Sequence, residues 1–136
     1  MKPALRSIAT IHRAEQISGD LFDDVMKNEG LTPRQAQVLF AIASASGQCQ
    51  AEIVNETDID RSTLSDICRR LKKKGLITQR RTQDDQRAYS LAMTDAGKAL
   101  LKRVEKSLDK LDQVMRQRIS GLDHLRIVEP VREAAE

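Results

Sequence analysis

Nine basic side chains crowd one stretch of the chain: Arg61, Arg69, Arg70, Lys72, Lys73, Lys74, Arg80, Arg81 and Arg87. Only Asp66, Asp84 and Asp85 oppose them there, so nine minus three leaves +6 of formal charge on this stretch. The whole 136-residue chain carries +3, which leaves about −3 on the remainder. A guanidinium is a planar fork of N–H donors that suits phosphate oxygens and guanine edges. Ser62, Thr63 and Ser65, set among the arginines, are small hydroxyls that let a backbone come close to a polyanion. The chemistry available to such a set is recognition. There is no glycine-rich phosphate loop, no nucleophile with a recognisable base and no carboxylate pair in an apolar setting, so no enzyme is expected. Cys49 and Cys68 lie 19 residues apart with only His12 and His124 as co-ligands, which fits neither a zinc spacing nor a disulfide framework. No metal and no cofactor are expected.

The elements that must carry these side chains follow from periodicity. Asp60 is placed to cap a helix from Arg61 to Lys74 whose apolar residues Leu64, Ile67, Cys68 and Leu71 share one face, and Gly75 stops it. That leaves Arg61, Ser62, Ser65, Asp66 and Arg69 outward, with Thr63 at the flank. Before it, Ala51 to Glu56 reads as a short helix and Thr57-Asp58-Ile59-Asp60 as a tight connection, giving helix, turn, helix. After Gly75 the period changes to two. Leu76-Ile77-Thr78 and the alternating Tyr89, Leu91 and Met93 predict two strands around a polar loop, with Arg80, Arg81 and Arg87 standing at the base and near the tip of the hairpin. Asp84 or Asp85 is placed to orient Arg87 by a charge-assisted hydrogen bond.

Helices flank this centre. Leu5, Ile8, Ile11, Ile17, Leu21, Phe22, Val25 and Met26 make an apolar stripe on a long first helix ending at Asn28-Glu29-Gly30. Thr32, followed by Pro33, opens a second that carries Val38, Leu39 and Ile42. Thr94 caps a last long helix in which Gly97, Leu101, Val104, Leu108, Leu111 and Met115 follow steps of 4, 3, 4, 3 and 4. Beyond Gly121, Leu122, Leu125, Val128 and Val131 keep a helical period that Pro130 must kink or restart. The seam and the first helix together present more apolar surface than so small a domain covers alone, which predicts a second subunit. No apolar run reaches the roughly 18 residues of a membrane span and no signal-peptide stretch opens the chain, so a cytoplasmic protein is expected.

Several motifs in order resemble the MarR family: Asp60-Arg61-Ser62-Thr63-Leu64-Ser65, Leu71-Lys72-Lys73-Lys74-Gly75-Leu76-Ile77, Arg80-Arg81, Asp84-Asp85-Gln86-Arg87 and Thr94-Asp95-Ala96-Gly97. Leu31-Thr32 with Gln37 through Leu39 is similar to the family's second helix. The resemblance implies a mainly α fold with a small β-hairpin wing, a winged helix-turn-helix with N- and C-terminal dimerisation helices. Its parts would be an N-terminal dimerisation helix over 1–30, a winged helix-turn-helix over 31–94 and C-terminal dimerisation helices over 95–136. It also implies a homodimeric repressor that binds double-stranded DNA at a pseudo-palindromic operator and is released by a small ligand or oxidant. The alternative reading is a winged-helix module that acts on another regulator with weak or no operator binding.

On this resemblance the DNA-binding residues are Arg61, Ser62, Thr63, Ser65, Asp66, Arg69, Arg70, Lys73, Arg80, Arg81 and Arg87, with Asp84 and Asp85 orienting the wing. The dimerisation residues are Leu5, Ile8, Leu101, Val104, Leu108, Leu111 and Met115. His12, Arg13 and Cys49 are candidates for a pocket holding a small aromatic effector or for a sensor. Three positions depart from the family's habit. Thr57 replaces a usual leucine, Asp58 a usual glycine, and Asp66 puts an acid where a basic or amide side chain is common.

Overall fold

In the computed structural model, which describes residues 1–44, 49–81 and 89–128, caps and turns set the frame. The elements are α1 (Pro3–Met26), α2 (Pro33–Ser44), α3 (Gln50–Thr57), α4 (Arg61–Lys73), β1 (Ile77–Arg81), β2 (Tyr89–Met93) and α5 (Asp95–Arg118), followed by a 3-10 turn at Leu122–His124. At the start of α2 the Gln35 amide N–H donates to Thr32 Oγ1 and the Thr32 N–H donates to Gln35 Oε1, both at 3.2 Å. This reciprocal box satisfies two of the N–H groups that a helix start leaves without partners. It also explains why Gln35 is the one polar side chain among the buried described residues.

The core is aliphatic and sits where α2 meets α3, α4, β2 and α5. Val38, Leu39, Ile53, Leu64, Cys68, Leu71 and Leu91 are completely enclosed. Strand β1 pairs antiparallel with β2, with Ile77 opposite Met93 and Gln79 opposite Leu91, so Ile77 and Leu91 lie on the face turned to the core. Helix α1 packs along α5 through its C-terminal half, where Phe22 and Met26 are buried. A two-point ion pair joins the ends of this layer: Arg103 Nε donates to Glu29 Oε1 at 3.1 Å and Nη2 to Oε2 at 2.8 Å. That fork holds the Glu29 carboxyl below its ordinary pKa. The N-terminal half of α1 has no such cover. Leu5, Ile8 and Ile11 are 56%, 49% and 65% exposed.

Two expectations change. On α5 the buried residues are Gly97, Leu100, Val104 and Leu111, while Leu101, Leu108 and Met115 flank them half-buried. A straight helix of 3.6 residues per turn drifts against a seven-residue pattern, so the strict seam gives way to a stripe that includes Leu100. The helical period expected after Gly121 is not realised either. Among the described residues only the short 3-10 turn forms, and residues 125–128 are irregular with Leu125, Ile127 and Val128 exposed. A short segment whose apolar residues find no cover within the single chain does not offset the cost of nucleating a helix. Val131 lies outside the described residues.

The turn between α3 and α4 is tight. Thr57 Oγ1 donates to the Ile53 carbonyl at 2.7 Å, and the Asp58 N–H donates to the Val54 carbonyl at 2.9 Å. The Ile59 N–H then points at Thr57 Oγ1 from 3.4 Å. Asp58 adopts φ 57°, ψ 19°, the left-handed region, and is the one non-glycine residue with positive φ among those described. A side chain there costs conformational energy, less for aspartate than for most. Asp58→Gly is therefore expected to raise unfolding stability by about 0.5 kcal/mol, and Asp58→Ala to lower it by about 1 kcal/mol, measured by urea denaturation.

Candidate nucleic-acid interface

Helix α4 starts where Asp60 caps it. The Thr63 N–H donates to Asp60 Oδ1 at 2.8 Å and the Thr63 hydroxyl to Oδ2 at 2.7 Å, which holds the Asp60 carboxyl below its ordinary pKa. Thr63 is thus engaged in the cap and sits half-buried beside it. The helix ends in a Schellman motif: the Gly75 N–H donates to the Lys72 carbonyl at 3.0 Å and the Leu76 N–H to the Leu71 carbonyl at 3.1 Å. Gly75 makes this possible with φ +76°. Arg70, Lys72 and Lys73 in the last turn complement the negative end of the helix dipole.

Between cap and stop, Leu64, Ile67, Cys68 and Leu71 are buried, so Ser62, Asp66, Arg69 and Lys73, at steps of four, three and four, run along the opposite side. Ser65 lies on one flank and Arg70 on the other. The Ser65 hydroxyl donates to Gln50 Oε1 at 3.0 Å, which ties α4 to the first residue of α3. Gln50 was not legible as a site residue because its role depends on how α3 crosses α4. Asp66 accepts from both neighbouring arginines, from Arg69 Nη2 and from Arg70 Nε, the latter at 3.1 Å. These hydrogen bonds, Arg69's first, hold its carboxyl below the ordinary pKa.

The hairpin continues the surface. Arg80 and Arg81 are exposed at the outer end of β1. The backbone of Cys49, extended at φ −85° and ψ 167°, forms an antiparallel bridge with Ser90, so the strand pair is also held from the α3 side. The Ser90 hydroxyl reaches the Arg80 carbonyl at 3.3 Å. Arg87 and its expected partners Asp84 and Asp85 lie outside the described residues. Lys74 faces away from the outward stripe and donates to the Gly30 carbonyl, a link from the end of α4 to the loop before α2.

A second feature lies behind this surface. A cleft of about 1040 Å³ opens between α1, the start of α2, the Thr57-Asp58 turn and α5, with His12, Asp20, Arg34, Asp58, Leu111 and Met115 in its walls. Of the residues singled out for a pocket, His12 lines it. Arg13 does not, its guanidinium instead donating to Gln16 Oε1 at 3.0 Å, and Cys49 is on the hairpin side of the molecule. Arg34, which the sequence reading missed, lines the cleft, and its charge adds to the lowering of the Asp60 carboxyl.

Comparison with known proteins places this geometry. Residues 29–88 match the model of the MarR family. The chain is 33% identical over 99 residues to the protein of Thauera aromatica assigned to the hcr operon as its transcriptional regulatory protein, covering 73% of this chain and 60% of that one. The chain thus spans less than two thirds of that relative's length. Among solved structures it is similar to the transcriptional repressor CouR bound to a 23-mer DNA duplex, with 25% identity, a TM-score of 0.73 and coverage of 84% and 81% of the two chains. It is also similar in fold to Bordetella bronchiseptica BpsR, whose DNA binding is regulated by 6-hydroxynicotinic acid, with 23% identity, a TM-score of 0.74 and coverage of 84% and 81%.

The two cysteines differ in what a reagent can reach. Cys68 is fully enclosed and burial pushes its thiol up to about 11, whereas Cys49 is half-buried at the surface. Maleimide labelling of the native chain at pH 8 followed by peptide mass mapping is expected to modify Cys49 and leave Cys68 intact until denaturant is added.

Proposed function

The chain belongs to the MarR family of winged helix-turn-helix transcriptional regulators, and on that premise we propose that it is a homodimeric repressor that binds a pseudo-palindromic operator in double-stranded DNA. The family is one of regulators and not of enzymes. The observation that carries the reading is the outward face of α4. It is a braced helix with Ser62, Arg69 and Lys73 along its middle and Ser65 and Arg70 beside them, continuous with Arg80 and Arg81 on the hairpin. A helix so presented fits the major groove, and a basic hairpin beside it fits the adjacent backbone or minor groove. In this reading Arg61 meets phosphate at the helix start, and Arg87 is the wing residue that enters the minor groove, oriented by Asp84 or Asp85.

Dimerisation is supported by the uncovered stripe of Leu5, Ile8 and Ile11 on α1 and by the half-buried Leu101, Leu108 and Met115 on α5, apolar surface that a partner subunit would remove from water. We assign 1–30 and 95–136 to that role and 31–94 to DNA. In such a dimer two copies of α4 would meet half-sites about one helical turn apart. The cleft behind α4 is the proposed effector site, for a small aromatic molecule of the kind that regulates DNA binding by BpsR. It touches both the Thr57-Asp58 turn that leads into α4 and the α5 residues Leu111 and Met115, so an occupant would contact both layers.

Selection from a random duplex pool, followed by affinity measurement at rising salt, tests the reading. The selected duplex is expected to bind as a dimer, with log K falling linearly against log salt by about 0.9 for each phosphate neutralised. Arg87→Ala is expected to weaken the selected and unselected duplexes alike and to lower that slope by about 1. Flat, weak binding to every duplex, with dimer formation intact, would instead favour a module that acts on another regulator.

A further inference from the structure

We propose that Asp66 is a positioning residue for DNA discrimination: by tying Arg69 and Arg70 to one carboxylate, it suppresses binding to phosphate at random sequence while leaving the outer edge of Arg70 free to read bases. The inference rests on the proposed operator binding and deepens it.

Asp66 stands in the middle of the outward stripe of α4, between Ser62 and Arg69. Its Oδ1 accepts from Arg69 Nη2 and its Oδ2 from Arg70 Nε at 3.1 Å, so a single carboxylate serves both arginines through separate oxygens. All three side chains are substantially open to solvent, 77% and 64% for the arginines and 42% for Asp66, so the cluster faces outward and is not a core ion pair. An exposed helical pair of this kind adds little to stability. Its consequence is on the surface: three charges sum to +1 where the two arginines alone would give +2.

Binding to random duplex rests almost wholly on phosphates neutralised and counterions released. A guanidinium already committed to a carboxylate gains less from a phosphate, and the carboxylate is itself repelled by the backbone. Base reading is affected differently. Each guanidinium carries five N–H donors, and the contact through Nε leaves the terminal Nη1 and Nη2 groups of Arg70 available as a pair. Guanine offers O6 and N7 in the spacing such a pair meets. A carboxylate at the back of the guanidinium also restricts its rotamers, which reduces the ordering cost of the base contact. Asp66 therefore lowers the random-sequence background and holds Arg70 in place as the reader.

The test compares the parent, Asp66→Asn and Asp66→Glu on two probes: the duplex selected by the parent from the random pool and a mixed-sequence duplex without that site. For Asp66→Asn, affinity for the mixed duplex is expected to rise roughly three- to tenfold and its salt slope to steepen by about 0.9, as one more cation becomes free for phosphate. The ratio between the two probes is expected to fall, and Asp66→Glu, which can still reach both arginines, to recover much of it. Thermal melting should be nearly unchanged, which separates this from loss of fold. Unchanged mixed-duplex affinity and slope in Asp66→Asn would overturn the proposal. So would a loss on the selected probe confined to one C·G pair with the mixed duplex unaffected, which would make Asp66 itself a base reader. Failure of the parent to prefer any selected duplex would instead count against operator binding.

Discussion

One close backbone approach is the constraint on which the rest depends: α5 at Gly97 lies against the Leu76 carbonyl, where a Cβ would stand 2.3 Å from the oxygen and 2.8 Å from the Met93 side chain. Around it three hydrogen bonds close a junction. The Thr94 N–H donates to the Leu76 carbonyl at 3.1 Å, the Thr94 hydroxyl to the Gly75 carbonyl at 2.6 Å, and the Gly97 N–H to Thr94 Oγ1 at 3.1 Å. Gly75 ends α4, Leu76 leads into β1, Thr94 follows β2, and Gly97 is in the first turn of α5. The end of the outward helix, both feet of the hairpin and the start of the long last helix are thus locked within a few residues.

This lock gives the outward surface its rigidity. The start of α4 is held by the Asp60 cap and by Gln50, its end by the Schellman motif, and its hairpin neighbour by the Cys49 bridge to Ser90. Apolar burial under α4 supplies the cohesion, with Leu64, Ile67, Cys68 and Leu71 all in the shared core. The charged side chains can then be spent on the outside. α5 carries the same frame toward α1, where the Arg103 to Glu29 fork fastens the layer and the uncovered Leu5, Ile8 and Ile11 begin.

What the sequence made legible was local. The caps at Asp60, Thr94 and Thr32 and the stop at Gly75 join groups three to five residues apart, so composition and spacing reveal them, although not the further bond from Thr94 to Gly75. The apolar face of α4 followed from its period, and the paired strands from alternation. What escaped depends on distant juxtaposition. Gly97 read as a seam position and is instead a point of backbone contact; Leu100 was passed over for a strict heptad; the Cys49 bridge, the Gln50 to Ser65 bond and the place of Arg34 required the crossing of elements far apart in sequence. Thr57 and Asp58 read as departures from a family habit, yet they build a tight turn by other means, a hydroxyl in place of apolar packing and a tolerated left-handed aspartate. Over the described residues to Val128 the helix expected beyond Gly121 does not form, because periodicity states which face a segment would bury, not whether the chain itself supplies a surface to receive it. Asp66 was visible as an acid among arginines; that it serves both of its neighbours was not.

The substitution Gly97→Ala tests the junction by its sign. In an ordinary helix interior, alanine in place of glycine stabilises by roughly 0.5–1 kcal/mol. Here the added methyl would collide with a backbone carbonyl that cannot swing away, and forcing such contacts typically costs about 1–3 kcal/mol. Urea denaturation of parent and variant, read alongside affinity for the selected duplex, is the direct measurement. A net loss of stability together with weakened DNA binding is expected. A variant more stable than the parent, with affinity unchanged, would contradict it.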